Sequence, residues 1–415
     1  MLTAAAWRDA AVLARVFGVL RVATSTRERN LYIRAAAGYQ MKRAMPQHGR
    51  GADVTRFEEW VQLAESAVLT LLEQELAVGH PELEARLSER GVPYGGRSLH
   101  LDPHILTEAV RRLELLGLIT EAEHRTKGGR TVKLHVVADQ RQRATYVQRA
   151  VRRKGMLHAR LRTLTDQAGP AGEQVVRHSL QIAGRHLIPV APDFGEVRET
   201  MGVRFYGPLD TAAWLHRVDA ASGVPLQPAA VPIEVKNRRL TLYPIHKEVH
   251  QLLSKAATLQ LAQPSFPIVP VLICRRAHPR LFWMAKDLGF RVHATNRQFT
   301  MLPKAMTPRL FDQVKNELQL TDLTALYPDR PLPTIQEFFQ RTLPKVATDA
   351  ANRWALTAPV VATYADELRL ADVTPAERYD LVRDLRRDLT DELTDRGALA
   401  PGEELASWSL PELDE

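Results

Sequence analysis

An α/β fold, a mixed sheet flanked by helices, is what the 415-residue sequence predicts for its centre. A smaller, mainly helical domain precedes it and a helical region follows. Three observations carry this expectation. Between residues 169 and 304 helical and strand patterns alternate, and one strand, FPIVPVLICRR, is strongly apolar. Residues 54 to 116 instead repeat apolar positions at helical spacing. The composition, 45% hydrophobic and 25% charged, is that of a chain able to bury a core.

Residues 1–53 read as helices ending in the Gly/Pro-containing break MPQHGRGAD. The opening MLTAAAWRDAAVLARVFGVL resembles a signal peptide only superficially. Arg8, Asp9 and Arg15 interrupt its apolar run, and Trp7, Val12, Val16 and Val19 suit an amphipathic helix. No apolar run approaches the roughly 18 residues of a membrane helix, so no membrane partner and a cytoplasmic location are expected. The single cysteine, Cys274, excludes an intramolecular disulfide and a multi-cysteine zinc site.

Residues 54–139 predict a small domain. A helix runs through RFEEWVQLAESAVLTLLEQELA, and a second, PELEARLSERG, is opened by Pro81 and closed by Gly91. A third begins at Asp102, an N-cap followed by proline, and buries Leu106, Val110, Leu113 and Leu116. The alternating TVKLHVVAD after the turn TKGGR reads as a hairpin strand. AVRRLELLGLI before KGGRTVKLHVV resembles the winged helix-turn-helix family. That resemblance implies that the third helix enters the major groove while the wing touches the backbone. Candidate DNA contacts are then Arg97, His104, Thr107, Arg111 and Arg112, with Arg125, Lys127, Arg130 and Lys133 on the wing. A winged helix used for protein contacts or as a spacer is the alternative.

The net charge is +8, and it is unevenly spread. Residues 140–168 form a basic linker helix in which Arg152, Arg153 and Lys154 are further candidates for phosphate contact. Two readings stand for this run: a track for a nucleic-acid backbone, or a solvated helix face. The helical region 305–415 turns acidic toward its end, where Trp408 and Leu410 look buried. A docking or oligomerisation segment, a helical cap, a partner motif and an autoinhibitory tail are all compatible with it.

The chemistry lies between residues 169 and 304. In AAVPIEVKNRRL, Glu234 and Lys236 stand two residues apart on an otherwise apolar strand, so both charges point to one face. Such charges require compensation. A plain ion pair is one answer, and a metal-dependent active site is the other. Asp210, in GPLD at the start of the extended stretch YGPLDTAAWLHRV, supplies a second carboxylate from the neighbouring strand. Mg²⁺ takes oxygen ligands and is commonly held by one or two carboxylates, waters and substrate phosphate. A lysine alongside can orient the attacking water and stabilise developing negative charge.

These residues resemble the PD-(D/E)xK, restriction-endonuclease-like nuclease superfamily, over about residues 170 to 300. The matching positions are Asp210 in GPLD and Glu234 with Lys236 in IEVKN; Pro208 lies two residues before Asp210 rather than directly before it. The resemblance implies DNA cleavage with Mg²⁺ or Mn²⁺, in restriction, defence or mobile-element processing. Asp210, Glu234 and Glu173, from the preceding helix, would be the metal ligands. Lys236 would serve catalysis, and Gln251, on the following helix, would join the site. A regulator with an inactive nuclease fold and a ribonuclease are the alternatives. Cutting both strands of a duplex suggests a homodimer by symmetry. His246 and His250 have a metal-compatible spacing on one helix, but no third ligand is evident.

Overall fold

The computed structural model describes residues 53–94, 97–184, 186–190, 196–219, 222–326, 332–400 and 402–408. The expected helices of residues 1–52 lie outside this set, as do Leu410 and the side chain of Arg97. In chain order, α1 (Asp53–Glu75) is followed by α2 (His80–Leu83), which runs into a π-helical turn at Glu84–Glu89. Next come β1 (Val92–Tyr94), β2 (Arg97–Leu99), α3 (Pro103–Leu115), β3 (Ile119–Arg125), β4 (Thr131–Val137) and α4 (Ala144–Thr165). Then follow α5 (Ala168–Ala183), β5 (Leu187–Pro189), β6 (Val197–Thr200), β7 (Val203–Leu209) and β8 (Thr211–Val218). The centre continues with β9 (Pro225–Leu242), α6 (Lys247–Ala262), β10 (Val271–Ala277), α7 (Pro279–Leu288), β11 (Arg291–Ala294) and β12 (Gln298–Thr300). The last elements are α8 (Pro308–Glu317), β13 (Leu323–Ala325), α9 (Pro333–Glu337), a π-helical turn at Phe338–Thr342, α10 (Leu343–Leu368) and α11 (Pro375–Asp395). No helix among the described residues is long and apolar enough to cross a membrane.

Contacts divide the chain into two units, one running to Arg162 and including Pro308–Thr321, the other holding the rest. In the first, α1 and α3 pack through Val61, Ala64, Val68 and Leu72 against Ile105, Leu106, Ala109 and Leu113. Asp102 caps α3 by accepting from the His104 amide at 3.3 Å, and Pro103 takes the first helical position. β3 and β4 form an antiparallel hairpin, and an isolated bridge from Val78 to His135 adds a third edge. The small hairpin of β1 and β2 was not foreseen in the sequence.

The basic helix α4 is anchored to this unit rather than standing free as a linker. Lys154, expected to face phosphate, is only 5% exposed. Its ammonium reaches Glu75 at 2.9 Å and also hydrogen-bonds to Glu82, which is fully buried. Arg86 donates to the same Glu82 carboxylate at 2.9 Å, and His158 of α4 approaches it at 3.6 Å. A carboxylate without water needs such partners, and they lower its pKa against the opposing effect of burial. Gly79 allows the close packing, because a Cβ there would stand 2.4 Å from the His158 ring.

The second unit is a mixed α/β layer structure. Its five-stranded sheet has the order β11-β10-β9-β8-β5; β9, β10 and β11 are mutually parallel, and β8 runs antiparallel to both β9 and β5. Side chains alternate along β9. Val231, Ile233 and Val235 face a core shared with α5, whereas Ala230 joins Leu272, Cys274 and the apolar side of α6.

Helix α5 opens at Ala168, so AGPAG forms its first turn. Proline is tolerated in a first turn, and Gly172 meets β9 where a Cβ would lie 2.5 Å from Asn237. Asn237 holds this junction by donating to the carbonyls of Ala168 (2.7 Å) and Phe299 (2.8 Å) and accepting from the Phe299 amide (2.9 Å). The sequence boundary at 304 is not a structural one. β13 pairs with β12, and α10 runs along both cores, contributing Leu343, Ala347 and Ala351 to one and Trp354, Val361 and Leu368 to the other. Trp408 is buried in the same unit and donates to Asp287 at 2.9 Å.

Candidate active site

Residues 229–235 of β9 are all buried, and Glu234 is 1% exposed. Pairing sets Glu234 beside Leu272 and Lys236 beside Cys274 of β10, so both charged side chains share the face covered by α6. Asp210 sits at the junction between β7 and β8, which belong to different sheets, rather than inside one strand. Its Oδ2 accepts from the Val235 amide at 2.7 Å, which fixes the carboxylate beside β9. The Lys236 ammonium stands 2.7 Å from Glu234 Oε2 and 3.8 Å from Asp210 Oδ2.

A second ammonium completes the group. Lys255 of α6 hydrogen-bonds to Glu234 Oε1 and to the Pro208 carbonyl. Gln251, expected at this place, lies one turn earlier on α6; Lys255 is the side chain that reaches the carboxylate. Arg177, not singled out in the sequence, donates from Nε and Nη2 to the Asp210 carbonyl, each at 3.2 Å. Its Nη2 also takes Glu173 Oε2 at 2.8 Å. Glu173 is thereby tied to the Asp210 peptide through Arg177 and is not brought to the paired carboxylates. No group of three or more acidic, His or Cys side chains suited to a metal occurs among the described residues.

The two carboxylates are electrostatically unequal. Burial would raise the pKa of Glu234, but Lys236 and Lys255 overcome it and hold the group ionised. Burial, with the Glu234 charge beside it, pushes Asp210 up to about 7. The reason is geometric: Lys236 is closer to Glu234, so Asp210 faces a like charge without an equal compensating one. Lys236 and Lys255 match the two carboxylates in number, but both stand closest to Glu234, and Asp210 has the Lys236 ammonium only at 3.8 Å. Two adjacent carboxylates, one of them so weakly compensated, could take a hard divalent cation such as Mg²⁺, completed by waters and a substrate phosphate. The donor set therefore fits a metal at Asp210 and Glu234, and it does not include Glu173 in this arrangement.

The raised Asp210 has a consequence for stability. Its pKa lies above the usual 3.8 of an unfolded aspartate, so the folded form holds its proton more tightly. The stabilisation this linkage gives is complete below about pH 4 and is lost as pH rises through about 7. Metal-free Asp210→Asn is thus expected to melt several degrees above the wild type at pH 8. The difference should shrink as the pH falls toward 5, as differential scanning fluorimetry would show.

The expected nucleic-acid residues divide into two sets. On α3, Arg111 is paired with Glu108 (2.6 Å) and Arg112 with Glu58 (2.6 Å) and Glu108 (2.7 Å). Glu108 is pushed down to about 2 by Arg111 and Arg112. His104 Nδ1 lies 2.6 Å from Asp102 and its ring stacks on Phe57, while the Thr107 hydroxyl donates to the Pro103 carbonyl at 2.9 Å. Lys133 is paired with Glu121 across the hairpin (2.7 Å), and Arg153 with Glu317 (2.6 Å). Arg125, Lys127 and Arg130 are exposed around the hairpin tip, and Arg152 is exposed on α4. Arg141, Arg143 and Arg149 extend the exposed positive run. His246 and His250 do not converge on a metal: His250 is fully buried with Nε2 2.7 Å from the Pro244 carbonyl, and Nδ1 of His246 accepts from the Tyr243 amide.

Comparison with protein-family models, curated proteins and solved structures finds no match for this chain.

Proposed function

We propose that this chain is a divalent-metal-dependent nuclease of the PD-(D/E)xK type that acts on DNA. The observation that carries the reading is the convergence of Asp210, Glu234 and Lys236 on the α6 face of the mixed sheet. Supporting it is the order of elements around them: α5, the antiparallel β5, β8 and β9, then α6 and a parallel β10. In this reading Asp210 and Glu234 hold Mg²⁺ or Mn²⁺, which when bound lowers the pKa of a water and neutralises charge on phosphate. Lys236 orients that water and stabilises the developing negative charge. Lys255 keeps Glu234 ionised and aimed, and Arg177 fixes the Asp210 peptide. The helices and hairpin of the first unit, read as a winged helix, supply duplex affinity through Arg125, Lys127, Arg130 and Arg152.

Glu173 bears on the rival reading, a DNA-binding regulator with an inactive nuclease fold. Its engagement by Arg177 leaves a smaller ligand set than the resemblance implies. Incubating supercoiled plasmid with Mg²⁺, Mn²⁺ or EDTA separates the two. Nicked or linear product with metal and none with EDTA is the expected outcome. Intact plasmid in both metals, together with salt-dependent retention of DNA, would favour the regulator.

A further inference from the structure

A cavity of about 410 Å³ opens in the second unit, lined by residues of α7, β11, α9 and the Phe338–Thr342 turn. The residues of the paired-carboxylate site take no part in its lining. Its volume falls in the range of small-molecule sites, roughly 300–1,000 Å³. The lining combines aromatic rings with an excess of positive charge, and three of its polar groups, on His293, Arg291 and Lys286, lack partners among the described residues.

One side of the cavity carries His293, whose ring is backed by Phe338, the two stacked at 4.6 Å with 26° between their planes. His293 Nε2 is buried and makes no hydrogen bond among the described residues. Burial pushes this imidazole down to about 4, so at neutral pH it presents a neutral ring nitrogen. The positive pole is Arg291 with Lys286. Neither side chain has a hydrogen bond or ion pair among the described residues. Burial lowers the pKa of Arg291, and Asp349 opposes that only through its field. Glu337, the acid of the lining, faces Arg341 at 3.6 Å and is mostly exposed. A half-buried guanidinium without a carboxylate is costly and marks a place where a ligand anion would be held.

We propose that this cavity binds a small planar organic anion, its ring laid against the His293 imidazole that Phe338 backs and its charged group on Arg291. Lys286 adds charge at the rim, and His293 Nε2 gives a ring donor or acceptor its partner. The chemical class is that of a nucleoside monophosphate or an aromatic carboxylate, which share a flat body and one anionic end.

Isothermal titration calorimetry on the full chain, in EDTA so that the paired carboxylates hold no metal, tests this. The probes are the nucleoside monophosphates, benzoate and inorganic phosphate. At least one ring-bearing probe is expected to bind with a dissociation constant below about 1 mM, and inorganic phosphate at least about tenfold more weakly. Arg291→Met should weaken the ring-bearing probe about tenfold or more. Phe338→Leu should do the same, and if it fails to fold, His293→Leu replaces it. Saturation by phosphate alone at equal affinity, no binding by any probe, or undiminished binding to Arg291→Met would each overturn the proposal. Which of the two ring classes binds identifies the ligand's source. Failure of plasmid cleavage leaves this result untouched, since no metal and no nuclease step enter it.

Discussion

Lys236→Ala is expected to lower metal-dependent plasmid cleavage by about a hundredfold to a thousandfold while leaving DNA retention unchanged. The ammonium lies 2.7 Å from one carboxylate and 3.8 Å from the other, where attacking water and developing charge would meet. Its pKa is raised: the Glu234 and Asp210 charges overcome the opposing effect of burial, so it remains a cation throughout the working range. Removing it also leaves Glu234 with Lys255 alone and increases the repulsion felt by Asp210. Metal-free Lys236→Ala should therefore melt below the wild type, and millimolar Mg²⁺ should restore much of the difference. Cleavage should not return with it. A purely structural ion pair would behave otherwise: metal would not rescue stability, and there would be no cleavage to lose.

The outline of the second unit was legible because periodicity changes sharply there, from helical in EQVVRHSLQIA to apolar and extended in AAVPIEV and FPIVPVLIC. Glu234 and Lys236 could be selected because charge on a buried strand is conspicuous, and Asp210 because the resemblance pairs a second carboxylate with them. Arg177 gave no such signal, and nothing in the sequence set Lys255 above Gln251 on the following helix. A lysine or arginine on a half-buried helix ordinarily reads as a solvated residue, and only tertiary packing aims these two at Glu234 and Asp210. The break at Asp210 was hidden too, since YGPLDTAAWLHRV carries one continuous extended pattern although β7 and β8 join different sheets. Glu173 was equally hard to judge from sequence. Its place on α5 matches the resemblance, but Arg177, one turn later, engages its carboxylate. At the C terminus, an acidic surface drew the eye from the apolar stripe of α11, where Val382, Leu385, Leu389 and Leu393 join the sheet's core.

Lys154 poses the converse problem, a positive charge within a basic run that is structural, and its removal is the largest stability change expected in the first unit. Lys154→Ala would leave Glu82, fully buried, with Arg86 and a distant His158 as its remaining partners. Breaking one partner of a buried pair costs about 3–5 kcal/mol, because an uncompensated charge stays behind. Hydrogen exchange should then rise in α1, α2 and α4 together, since Glu75, Glu82 and Lys154 join those three segments. Replacing both partners, Glu82→Gln with Lys154→Met, should recover most of the protection by removing the orphaned charge along with its partner. A phosphate-contacting lysine would give a different pattern, with unchanged exchange and a DNA affinity whose salt dependence falls by about one ion. Arg152, exposed two positions earlier on the same helix, is the residue expected to show that second pattern. Neighbouring cations on one helix thus differ by the face on which they stand: Lys154 points inward to hold the fold, and Arg152 points outward to solvent, where the proposed DNA backbone would meet it.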